Sequence, residues 1–108
     1  MIKKTFKVPI YNSKVTVILD KDLSYVEKKY NTNSLSNYGA VTLKDETKYK
    51  KYIVAFEHIS DGIIVHEVVH LVNYIFLDCG VELDRVNDEH QAYFTAWLFR
   101  KINKICKK

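Results

Sequence analysis

Residues 60–77 read SDGIIVHEVVHLVNYIFL, and the reading of this stretch decides how the rest of the chain must be arranged. Ser60 and Asp61 are residues that accept hydrogen bonds from the free N–H groups of a helix start. Cys79-Gly80 supplies a stop, because glycine takes the left-handed conformation that closes helices without steric cost. One buried helix is therefore predicted from about residue 60 to residue 78. Into that apolar segment the sequence sets His66, Glu67, His70 and Asn73. A polar group left unbonded in such surroundings costs on the order of 2–7 kcal/mol, so these side chains need partners. His66 and His70 stand four apart and share one helical face. With Glu67 they spell H-E-x-x-H, a pattern in which two imidazoles hold zinc and the carboxylate serves as general base. Asn73 lies on the same face and is expected to make a hydrogen bond in the core; His58 precedes the helix and reads as a surface or capping residue.

A catalytic zinc site takes three protein ligands and keeps a fourth position open. The extended motif with a third His six residues on is ruled out, since Asn73 stands where it needs Gly and Phe76 where it needs His. The third ligand must come from further downstream. Residues 81–87 form a connection containing Glu82, Asp84 and Arg85, and a terminal helix is predicted from Asn87 or Asp88 through Ala92, Ala96, Trp97 and Ile102. Glu89 and His90 open it. Glu89 shares a face with Ala92, Tyr93 and Ala96, of which the two small alanines permit close approach to the first helix, whereas His90 shares one with Tyr93, Phe94 and Trp97. Packing favours Glu89, and His90 stays as the rival third ligand.

Eighteen residues separate His70 from Glu89, and over residues 60–99 this arrangement resembles the gluzincin metallopeptidases, in which H-E-x-x-H is followed at about this distance by a zinc-binding Glu. The resemblance implies a zincin-like fold, Zn2+ as cofactor and a peptide or protein as substrate. It implies His66 and His70 as the first two ligands, Glu89 as the third, and Glu67 as the base that takes a proton from the attacking water. Tyr93 or His90 is then expected to stabilise the oxyanion, and substrate to lie extended along an edge strand near Tyr52–Phe56. Many gluzincins carry an Asp four residues after the third ligand, where it orients a ligating His; Tyr93 stands there in this chain. Asp88, Asp84, Glu82 or a backbone carbonyl is left to take that part. The segment before the motif is similar to that of small single-domain zincins carried by phages and mobile elements.

That upstream segment reads as β-structure. Thr5–Ile10 and Lys14–Leu19 are rich in β-branched and apolar residues around a Tyr11-Asn12-Ser13 turn, which predicts a hairpin whose first strand, bearing Pro9, is an edge. Leu23, Val26 and Tyr30 recur at helical spacing and predict a short helix over 23–30. Tyr38–Leu43 and Tyr49–Phe56 predict two further strands joined by a charged turn, with residues 53–56 central or against the long helix. The expected class is α+β: an antiparallel or mixed sheet of about four strands and a short helix, packed on the H-E-x-x-H helix and the terminal helix.

With 108 residues, 47% of them hydrophobic and 28% charged, the chain is expected to form one soluble domain over residues 1–108. The longest apolar stretch, residues 63–77, is interrupted by four polar side chains and is shorter than the roughly 20 residues a membrane span needs. Cys79 and Cys106 lie 27 apart outside any C-x-x-C, as free thiols of a cytoplasmic protein would. A net charge of +4 comes almost wholly from scattered lysines, with only two Arg among seventeen basic residues. A nucleic-acid partner is therefore not expected. Three functions remain in view: a zinc metallopeptidase, a zinc-binding interaction module without catalysis, and, on net charge alone, a nucleic-acid-binding domain.

Overall fold

The structure, a computed structural model, describes residues 1–107. Among these, β1 (Ile2–Val8) and β2 (Ser13–Leu19) form the expected hairpin, and α1 (Ser24–Tyr30) follows. Strands β3 (Ala40–Lys44) and β4 (Lys51–Phe56) form a second hairpin, before α2 (Asp61–Cys79) and α3 (Glu89–Cys106). The strand order is β1-β2-β4-β3. Both hairpins are antiparallel, but β2 and β4 run parallel, Val15 opposite Tyr52 and Val17 opposite Val54. The sheet is thus mixed and the class is α+β.

The central strands read as nearly continuous apolar runs because both of their faces are covered. Val15, Val17, Tyr52, Val54 and Phe56 point to one side, where Ile64, Val68, Leu71, Val72 and Ile75 of α2 and Leu98 and Ile102 of α3 complete the main core. Ile18, Ile53 and Ala55 point to the other side and meet Leu23, Val26 and Leu35 around α1. The alternation of two along each strand delivers residues to both cores.

α2 begins and ends where its composition says it should. Ser60 Oγ accepts the Ile63 N–H at 3.2 Å, and Gly80 sits at φ 72° with its own N–H on Leu77 O and the Val81 N–H on Phe76 O. At 19 residues α2 is long and apolar enough to cross a membrane by length and composition, which corrects the shorter sequence count. Its buried side chains are spent on the sheet and on α3, a packing consistent with a soluble domain.

The expectation for Tyr52–Phe56 is half met. This segment is central, but β4 lies between β2 and β3, so it offers no free edge for a substrate. The edges of the sheet are β1 and β3.

Candidate functional site

α2 lies across the sheet so that Ile64, Val68, Leu71 and Ile75 are buried, and the 3.6-residue repeat turns His66 and His70 outward. The His66 side chain is 69% exposed. The two rings face each other edge-on with centroids 5.0 Å apart, and their Nε2 atoms are 3.3 Å apart. Two nitrogens bound to one tetrahedral zinc at about 2.0–2.1 Å each lie about 3.3 Å from one another. The imidazole pair therefore has the separation that adjacent zinc positions require.

Glu67 points the other way, into the protein, and is only 6% exposed. Burying a carboxylate is costly unless hydrogen bonds compensate. Here Thr42 Oγ1 donates to Glu67 Oε1 at 2.8 Å, while Oε2 is 3.9 Å from His66 Nε2. One carboxylate oxygen is thus tied to β3 and the other faces the histidines. Glu67 and His66 line an open recess of about 370 Å³ with Gly39, Ala40, Gly62 and Ile63, at the start of the β3 edge. Thr42 carried no signal in the sequence: a lone Thr in a strand is explained by β-propensity alone. Its position beside Glu67 could be found only from the packing of α2 on β3.

The downstream residues fall into two groups. Glu89 opens α3 and is exposed, and its neighbour Asp88 lines a groove with Val65 and Val69, the residues directly before the two histidines. The chain thus brings the α3 start to the flank of the histidine pair. No three His, Cys, Asp or Glu side chains among the described residues converge as a finished metal site. His90 and Tyr93 go elsewhere. Tyr11 Oη and His90 Nε2 form a hydrogen bond, and the His90 ring stacks on Phe76 with an interplanar angle of 4°. Tyr93 is 73% exposed and lines a largely apolar cavity with His90, Pro9 and Trp97, which shares no residue with the recess at Glu67. Neither is placed to stabilise an oxyanion at Glu67, which corrects that expectation, and His90 is committed to Tyr11 rather than to the histidine pair.

The remaining polar residues have structural tasks. Asp84 Oδ1 accepts the Val86 and Asn87 N–H groups and shapes the connection. Asp78 Oδ2 accepts from Tyr52 Oη at 2.6 Å and Oδ1 accepts from Lys44 Nζ at 3.0 Å. Burial and the Asp78 carboxylate push the Tyr52 phenol well above its usual range. Burial acts upward on Asp78, but its bonds to Tyr52 and Lys44 hold it below the usual carboxylate value. His58 is exposed beside Glu57, as expected, whereas Asn73 is exposed rather than bonded in the core. The exposed end of the helical stripe reaches Asn73 because the core turns towards Val72, Ile75 and Phe76. No family model matches the chain, and no curated protein or solved structure is detectably similar to it.

Proposed function

We propose that the chain is a zinc-dependent peptidase whose centre is His66, Glu67 and His70, with Glu89 as third ligand. The observation that carries this reading is the pair of Nε2 atoms 3.3 Å apart beside a buried carboxylate with one oxygen fixed and one free. Asp88 and Val69 line one groove, which supports Glu89 because the start of α3 borders the same groove as the ligand-bearing part of α2. Zinc bound there would supply Lewis acidity towards a carbonyl and bring the pKa of water down to about 7. Thr42 fixes Glu67 so that Oε2 is the oxygen available to take a proton from the attacking water. Glu67 then delivers that proton to the leaving amine as the C–N bond breaks. β3 replaces the Tyr52–Phe56 segment as the edge on which an extended substrate would pair, because its free side borders the recess at Ala40.

Metal analysis of untagged protein tests the site: about one zinc per chain is expected, reduced strongly by His66→Ala and by Glu89→Gln. Glu67→Gln should retain zinc and lose hydrolysis of a peptide library. Zinc retained with no hydrolysis in the native chain would instead identify a zinc-binding module, and a metal-free folded protein would remove the reading altogether.

A further inference from the structure

Strand register sets three lysines side by side on the α1 face of the sheet. Lys7 lies opposite Lys14, and Lys14 opposite Lys51. Paired residues project from one face, and steps of two along β2 and β4 put Lys14 and Lys51 on the side of Ile18 and Ile53. Like charges directly opposite destabilise a sheet, yet no ion pair among the described residues neutralises any of these three. In the next row, the Thr5 and Thr16 hydroxyls are 2.8 Å apart. α1 has only seven residues and covers the other half of this face. What it leaves open is a cleft of about 450 Å³ over Thr5, Thr16, Lys3 and Lys51, walled by Lys29 at the end of α1 and Lys48 in the β3–β4 turn. In the same wall, Asp45 Oδ1 accepts from the Thr47 N–H and hydroxyl.

We propose that this cleft binds a compact, multiply charged phosphate anion, the di- or triphosphate group of a small molecule. Four lysines, of which Lys3 also donates to Tyr25 Oη, line one concavity with the hydroxyls of Thr5, Thr16, Tyr30 and Thr47, and lysine is a point-charge phosphate binder. The volume lies within the span of small-molecule sites, about 300–1,000 Å³. The α1 end and the β3–β4 turn bound the cleft, and its lining at that turn includes the Asp45 and Glu46 carboxylates, so a long polyanion meets like charge there. A compact anion fits this boundary better than a long nucleic acid does. The cleft is on the opposite face of the sheet from α2, so it is independent of the histidine centre.

Titration calorimetry with inorganic triphosphate at an ionic strength of about 0.15 M tests it, a concentration at which diffuse attraction is largely screened. Saturable binding of one anion per chain is expected, not displaced by sulfate at matched ionic strength. Lys48→Gln/Lys51→Gln, at two lysines that line the cleft, should weaken binding about tenfold or more. The same double variant should melt no lower than the native chain without ligand, since the loss of Lys51 relieves the lysine row. Lys29→Gln, on exposed α1, gives a second weakened variant that leaves the sheet untouched. Failure to saturate, equal affinity in these variants, or tighter binding of a single-stranded oligonucleotide than of triphosphate would each overturn the proposal.

Discussion

Glu67 and Asp78 are carboxylates on the same helix, eleven residues apart, and their neighbours give them different tasks. Glu67 receives one hydroxyl and keeps an oxygen facing the recess, whereas both oxygens of Asp78 are bonded, to Tyr52 and to Lys44. Thr42→Val keeps the shape of β3 and removes the hydroxyl that orients Glu67. Loss of such a supporting hydrogen bond lowers activity by about 10–100-fold, and steady-state peptide hydrolysis should fall by that order with zinc content unchanged. Asp78 makes a pH prediction. Its carboxyl is held below the ordinary value of 3.8, so its stabilisation is complete above that pH. It is lost as the pH falls through the lowered folded value, where Asp78 takes up its proton. Thermal melts of the native chain and of Asp78→Asn should therefore converge on acidification below about pH 4 and differ most near neutrality.

At the scale of elements, helix ends and strand pairing were unequally legible. Ser60 and Gly80 mark α2 to within a residue because capping is local chemistry, readable from the side-chain acceptor and from the one residue that tolerates positive φ. Gly80→Ala meets no atom within 4 Å, so its whole cost is conformational. A loss of about 1 kcal/mol in urea unfolding is expected, with an unchanged m-value. Leu98 is fully buried between α3 and the sheet, and Leu98→Ala should cost about 2–5 kcal/mol in the same assay. Strand order was not legible, because alternation says which residues share a face but not which strand lies alongside. The parallel placement of β4 beside β2 therefore moved the free edge from Tyr52–Phe56 to β3. The two imidazoles and their carboxylate were legible because their spacing lies within two turns of one helix. The diversion of His90 to Tyr11, across 79 residues, had no local signature.

For the molecule as a whole, charge is distributed by the fold rather than by the chain. Lys7, Lys14 and Lys51 are apart from one another in sequence and become neighbours only through the β1-β2-β4 register. Their mutual repulsion should make the protein more stable as sodium chloride rises from about 0.01 M to 0.15 M, where the screening length shortens from about 30 Å to 8 Å. Lys14→Gln should remove part of that gain, read as the shift in urea midpoint between the two salt concentrations. The parallel β2–β4 pair also orders events during synthesis. The β1–β2 hairpin leaves the ribosome early, but its inner edge, β2, waits for a strand that starts 38 residues after Ser13. Until Lys51–Phe56 arrives, Val15, Val17 and Ile18 stand on an unpaired edge with neither face covered. A nascent chain stalled between Leu19 and Lys51 thus leaves the β2 edge open to strand-by-strand aggregation; the arrival of β4 closes that edge, and the Val15–Val17 face stays bare until α2 and α3 follow.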